Sequence, residues 1–296
     1  MPETPPTIHD VGFIQPFASV IAYRAEDETI VAASGNLAQF VQDIGPEKAL
    51  GQKPDAVLGA TLVHAIRNAQ ALPALRECPE LLGEADLGAG LLEASAFALE
   101  DLVVVDLMMG QPQMSSLDLL KDFGRLSERM QGATDTPGLL TQLASLIRIM
   151  SGYDRVQALR AGQANSCTVI AESRRGSLPD NLGVVLPCPE PVAAQPHPPY
   201  HYIQDVNDVA VPIQSHSSTA LELCLLPSSQ PRAGRLENLA TQGMQAELVL
   251  PLSVEGQLWG ALLFQHRRPR APTPRFRQTC RAIRPLLEAW LTRFET

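Results

Sequence analysis

Apolar and polar positions alternate in short runs through the first hundred residues. In "SVIAYRAEDETIVAAS" two β-rich runs, Ser19–Tyr23 and Thr29–Ala33, flank an acidic turn, which predicts an antiparallel hairpin. Residues 37–85 carry helical spacing but are interrupted by Pro46, Pro54, Pro73 and Pro79, so several short helices are expected rather than one long one. A further strand is expected over Ala98–Met108. Together these elements predict a small mixed α+β domain over residues 1–112.

The period then changes. "SSLDLLKDFGRLSERM" spaces Leu117, Leu120, Phe123, Leu126 and Met130 as the stripe of an amphipathic helix. In "TDTPGLLTQLASLIRIM", Thr136 is expected to cap a second helix and Pro137 suits its first turn, while Leu139, Leu143, Leu146, Ile147 and Met150 form its apolar side. Strands follow at "RVQALRA", "CTVIAES", "QAELVLPLSVEG" and "QLWGALLFQH", the last two joined by a tight turn at Glu255 and Gly256. A closing helix over residues 276–294 gathers Phe276, Cys280, Ile283, Leu287, Trp290 and Leu291 on one side, and Pro285 is expected to bend it. The second domain, residues 113–296, is therefore also α+β. Residues 176–244 between its strands are dense in Pro, Ser and His. A structureless loop of that length is uncommon in a compact domain and is usually functional.

A length of 296 residues agrees with two domains. The 23 Lys and Arg against 32 Asp and Glu give a net charge of -9, which argues against a nucleic-acid partner. The longest apolar run, "LVVVDLMM", is broken by Asp106 and falls far short of the ~20 residues of a spanning helix, so no membrane is expected. "MPETPPTIHD" has acids and prolines where a signal peptide is basic and then apolar, which predicts a cytoplasmic chain. The five cysteines, Cys78, Cys167, Cys188, Cys224 and Cys280, form no CxxC and are odd in number, which predicts reduced thiols and no structural bridge. No glycine-rich phosphate loop, nucleophile elbow, HExxH or kinase motif is found, so no enzyme is expected. Glu26, Asp27 and Glu28 lie in an exposed turn without the desolvated pocket that tunes a general acid.

The segments "IHDVGFIQPFASVIAY", "SGYDRVQALR", "VIAESRRGSL", "LGVVLP", "DVNDVAVPI" and "GQLWGALLFQHRRP" fall in the order and near the spacing of a known family. Over nearly its whole length the chain resembles the PAS and GAF domains of bacterial phytochromes. The resemblance implies a PAS domain followed by a GAF domain, each a mainly antiparallel sheet with flanking helices. It also implies an N-terminal segment threaded through the GAF loop as a figure-of-eight knot.

Bacterial phytochromes attach biliverdin through a cysteine ahead of the "IQP" segment. Residues 1–13 here contain none, and a thioether needs a thiolate. Plant-type relatives use a cysteine preceding a GAF histidine; aligned with "RLENLATQGM", those two positions read Gly234 and Arg235, and the tyrosine three residues on reads Asn238. The tyrosine of the family's "YRF" reads Leu159. Next to Leu186 of "LGVVLP", the "PASDIP" element resembles "PCPEPV", with Cys188 and Glu190 in place of alanine and aspartate. "IQPHG" reads "IQPFA", with Phe17 and Ala18, and the histidine pair after the last strand reads Gln265 and His266. The stretch "VAAQPHPPYHYI" lacks the arginines that meet the pigment's propionates, contacts worth ~1.5 to 3 kcal/mol each when buried. The resemblance with these departures implies a sensory scaffold that has lost covalent bilin attachment, and no cofactor is expected. The alternative is a sensor holding biliverdin or another small molecule non-covalently in the GAF cavity, a reading motivated by the long loop and by His266.

Several local readings stay open on sequence. Cys188 is either an attachment or sensing thiol or an inert packed one, and flanking Pro187 and Pro189 with no nearby base favour the second. His197 and His201 are separated by Pro198 and Pro199, which forbid the helix that would align them; with Cys188 and His216 they would make either a zinc site or surface histidines, and no metal is expected. Arg235 either pairs with Glu237 in an emptied cavity or lies on a solvated helix, and the desolvation penalty of a buried pair favours the helix. Family members dimerise through helices flanking the GAF sheet, so Leu120, Phe123, Ile283, Leu287 and Trp290 either form a homodimer contact or cover their own sheet. The sequence ends with the GAF helix, so a signal is expected to pass to a protein partner in trans unless the chain is a fragment of a longer protein.

Overall fold

A computed structural model describes residues 8–70, 80–110, 116–189, 192, 198–218, 220–221, 223 and 225–295, with side chains for all of these except 80 and 116–119. Contacts divide the chain into two units, Met1–Pro112 with Asp208–Gln230, and Gln113–Asn207 with Pro231–Thr296. The expected second domain of 113–296 is thereby corrected, because residues 208–230 fold with the first sheet.

That first sheet contains β1 (His9–Ile14), β2 (Ala18–Arg24), β3 (Ile30–Ser34), β4 (Glu80–Asp86), β5 (Leu91–Leu99) and β6 (Leu102–Met109), together with β11 (Val211–Ser215), in the order β1-β11-β3-β2-β6-β5-β4. The β2–β3 hairpin sits where the alternation places it. The single strand expected over Ala98–Met108 is instead a hairpin, with Glu100 at φ 52 in the turn between β5 and β6. β4 falls on residues read as helical; it is a half-exposed edge strand with Gly83 at φ 128 and lacks the β-branched run that marks a strand in sequence.

The predicted chain of short helices appears as α1 (Pro46–Ala49), α2 (Pro54–Leu58) and α3 (Ala60–Gln70), the first two starting on their prolines. On one face of the sheet Leu37, Val63 and Ile66 pack against Ile21, Val105 and Leu107. The opposite face, with Val20, Phe97, Val104 and Ile213 of β11, packs against Leu223 and Leu226 from the inserted segment. β11 pairs with both β1 and β3, and the Gln15 amide donates to Ser228 O at 2.9 Å. This pairing joins the inserted segment to the N-terminal strand within the first unit. The same segment accounts for the polar break in "LVVVDLMM": Asp106 is fully buried and accepts from Ser228 Oγ at 3.0 Å.

The second unit is built on a six-stranded antiparallel sheet of β7 (Arg155–Ala161), β8 (Ser166–Arg174), β9 (Val185–Pro187), β10 (His201–Ile203), β12 (Ala246–Val254) and β13 (Gln257–His266), ordered β10-β12-β13-β7-β8-β9. Its helices are α4 (Ser116–Gln131), α5 (Thr136–Ser151), α6 (Ala233–Thr241) and α7 (Pro274–Glu295). The region 176–244 is thus not structureless, since it holds β9, β10, β11 and α6. The β12–β13 turn uses Glu255 at φ 52 and Gly256 at φ 74, the paired left-handed conformation of a tight hairpin turn. The α5 cap is Asp135 rather than Thr136: its Oδ1 accepts from the Gly138 amide at 2.7 Å. α7 continues through Pro285 and buries Phe276, Cys280, Ile283, Leu287 and Leu291, whereas Trp290 stays half-buried with the Arg293 guanidinium 5.2 Å above its ring.

Candidate functional site

The strand register gives the second sheet two distinct faces. Glu247 lies opposite Gln265 and Gln265 opposite Arg155, while Ala261 lies opposite Leu159, and residues paired across antiparallel strands share a face. The alternate residues form the other side, where Phe264 meets Phe276 of α7 edge-on with ring centroids 5.6 Å apart. Helices cover that second side. The first, bearing Arg155, Gln157, Leu159, Glu247, Val249, Leu263 and Gln265, is the face of interest.

One half of this face is polar and buried. Arg235 reaches down from α6, its Nε donating to Glu247 Oε1 at 2.9 Å and its second nitrogen to Oε2, while Gln265 Nε2 donates to the same Oε2 at 3.3 Å. Glu247 is 2% exposed. The favoured reading of Arg235 on a solvated helix is corrected: it forms a buried charge pair, as the other alternative held, but with Glu247 in place of Glu237. Beside this group, Glu172 lies 3.1 Å from Arg155 and accepts from Gln157 at 2.8 Å and Arg174 at 3.0 Å.

The other half is apolar: Leu159, Cys167, Val169, Val192, Val249, Ala261 and Leu263 pack together, with Leu186 and Cys188 against them. Cys167 and Cys188 form a disulfide with Cα atoms 5.2 Å apart. This overturns both the expected absence of bridges and the reading of Cys188 as an inert thiol. The cause lies in topology that no cysteine count reveals. β9 returns antiparallel beside β8 with Leu186 opposite Cys167, and the Cys188 amide donates to Asn165 O at 3.0 Å, so the two sulfurs meet.

The remaining expected positions scatter. Phe17 is half-buried in the first unit, and Asn238 lies on α6, where its side chain accepts from Gln242 rather than joining Glu247. Glu190 and His197 lie outside the described residues. His201 is buried on β10 and not on the surface. Among the described residues no group of three His, Cys, Asp or Glu is arranged to hold a metal. Of the dimer candidates, Ile283 and Leu287 are 2% and 0% exposed within their own unit, which removes them as contacts; Leu120 is 65% exposed, and Phe123 and Trp290 are half-buried.

His266 also departs from expectation. Next to Gln265 on β13, it points to the opposite side, its ring edge-on to Tyr153 at 6.1 Å and its Nδ1 2.9 Å from Asp154 Oδ2. Asp154 is a hub: Arg175 Nε lies 2.7 Å from Oδ1, and Oδ2 accepts from the Arg267 amide at 3.1 Å. Burial alone pushes the Asp154 carboxyl up, but the Arg267 amide and the His266, Arg175 and Arg267 charges hold it below its ordinary value. His266 is lowered, chiefly by burial, with Asp154 opposing and Arg270, Arg175 and Arg267 assisting. These groups border a cavity of 580 Å³ that the sequence reading missed. Its signal was the basic run "HRRPR" after the last strand.

Residues 5–108 match the PAS fold family PAS_2. Over 95% of the chain the sequence is 27% identical to a bacteriophytochrome of Pseudomonas aeruginosa, and over 92% it is 26% identical to the phytochrome-like protein Cph1 of Synechocystis. The chain spans 40% and 38% of those two relatives. The chromophore-binding domain of the unusual bacteriophytochrome RpBphP3 from R. palustris aligns over 99% of this chain and 98% of its own, with a TM-score of 0.78 at 20% identity. That of Stigmatella aurantiaca phytochrome P1 aligns over 95% and 96%, with a TM-score of 0.78 at 18% identity. These likenesses carry the fold. No described helix is long and apolar enough to cross a membrane.

Proposed function

We propose that this chain, a phytochrome-type PAS–GAF sensory module in sequence and fold, works without a bilin and passes its signal on by contact with another protein. The observation that carries the reading is the Arg235–Glu247–Gln265 group on the face of the second sheet opposite α7. A planar tetrapyrrole laid on that face would have to displace a buried, mutually satisfied ion pair, and stranding one partner of such a pair costs about 3–5 kcal/mol. The apolar half is closed by Leu159, Val192 and the Cys167–Cys188 bridge. Residues 1–13 contain no cysteine, and Gly234 and Arg235 stand at the aligned plant-type positions. His266, the motive for non-covalent pigment binding, faces Asp154 instead.

No catalytic step is assigned to the module. A second copy of the chain is the first protein partner to test, with Leu120 and Phe123 of α4 as the contact, because Ile283 and Leu287 are used within the unit. The net charge of -9 disfavours nucleic acid. An absorption titration with excess biliverdin, with a denaturing gel scanned for zinc-bilin fluorescence, tests the pigment reading. The expected result is the spectrum of free pigment and no labelled band. A sharpened red band that photoconverts under red and far-red light would overturn it.

A further inference from the structure

Three adjacent strands of the second sheet end at one edge: Asp154 precedes β7, Arg175 follows β8, and His266 closes β13. The chain beyond β13 adds Arg267, Arg268 and Arg270 to the same 580 Å³ cavity. Four guanidiniums therefore meet one carboxylate, a surplus of three positive charges with His266 neutral, in a chain whose net charge is -9. Such convergence makes the cavity electropositive and favours an anion there.

The site has a built floor. Arg270 donates to Ser151 O at 2.6 Å and lies over the Tyr153 ring at 5.4 Å. A Cβ at position 152 would stand 2.5 Å from Arg270 Nη2, and Gly152 is left-handed at φ 68, so both space and conformation at that position suit glycine. Arg270 Nε is buried with no hydrogen-bond partner, and exposed Arg268 makes no ion pair among the described residues. Of the four guanidiniums, Asp154 pairs among the described residues with those of Arg175 and Arg267.

We propose that this cavity binds a small polyvalent phosphoanion, the chemistry shared by inorganic pyrophosphate and the phosphate end of a nucleoside diphosphate. Planar guanidinium forks match phosphate oxygens two at a time. The volume falls within the roughly 300–1,000 Å³ of small-ligand sites. A single concave cluster, rather than a basic stripe, fits a compact anion and not a nucleic-acid backbone. The proposal is independent of whether a bilin binds, since the cavity lies on the His266 side of the sheet.

Isothermal calorimetry of the full chain with sodium pyrophosphate tests it, with sodium sulfate at matched ionic strength as reference and the thermal midpoint as a second readout. One site per chain is expected, at least about tenfold tighter than sulfate. Arg268→Gln, an exposed change that keeps the melting temperature, weakens it about tenfold. Arg125→Gln, on α4 and away from the cavity, leaves it unchanged. A nucleoside diphosphate binding as well as or better than pyrophosphate supports the site and assigns a nucleotide; pyrophosphate binding alone supports it and assigns the free anion. Affinity no better than sulfate, or equal weakening by Arg125→Gln, overturns the proposal. Binding of an acidic peptide without pyrophosphate also overturns it, and makes the cavity a protein-docking surface.

Discussion

Arg235 on α6 holds both carboxylate oxygens of Glu247 on β12, and the two side chains are 12% and 3% exposed. A pair so desolvated is unforgiving of the loss of one member. Arg235→Ala is expected to lower unfolding free energy by about 3–5 kcal/mol, because Glu247 stays buried without its cation. Replacing both by leucine should recover most of that loss or exceed it. Denaturant titrations of the two variants check the argument. An Arg235→Ala change worth less than about 1 kcal/mol would mean that the pair is solvated after all.

The Cys167–Cys188 bridge closes a loop spanning 21 residues. The chain-entropy argument assigns such a loop about 3 kcal/mol. Reductant, or Cys188→Ser, should therefore lower stability by about that amount, and intact mass under non-reducing, alkylating conditions should show the bridge. Alkylation of both thiols in the native protein would refute it.

What the sequence made legible follows the range over which its signals act. The β2–β3 and β12–β13 hairpins, α4, α5 and α7 were readable because period and turn chemistry are local. Three features depend on partners distant in the chain and carry no local signature. β11 reaches back to β1 and β3; Cys188 meets Cys167 only because β9 returns along β8; Arg235 finds Glu247 across the fold of α6 onto β12. His266 was assigned to the pigment face by resemblance. Strand alternation, applied to Gln265 and His266, would have placed only one of them there.

His266 supplies a pH dependence. Its folded-state pKa is lowered, first by burial and then by Arg270, Arg175 and Arg267, against the opposing charge of Asp154. The unfolded imidazole, near 6.5, therefore binds a proton at pH values where the folded one does not. The stability contributed is full above the unfolded value and falls as pH drops through the folded one. Between pH 7 and pH 5 the urea midpoint of the wild type should decline more steeply than that of His266→Gln. Parallel profiles would show that the imidazole titrates alike in both states.

Leu120 and Leu287 separate self-association from folding. Leu120 is 65% exposed on α4 and Leu287 is fully buried on α7, although the sequence left each open as a dimer contact or a cover for its own sheet. If α4 carries the interface, Leu120→Glu should convert a particle of twice 32.0 kDa into one of 32.0 kDa in light scattering, with an unchanged melting temperature. Leu287→Glu places a charge in the core of its own unit and should cost about 4 kcal/mol or more, lowering the melting temperature at any oligomeric state. A mass unaffected by Leu120→Glu would remove α4 as the interface. A Leu287→Glu variant that melts normally but dissociates would return α7 to that role.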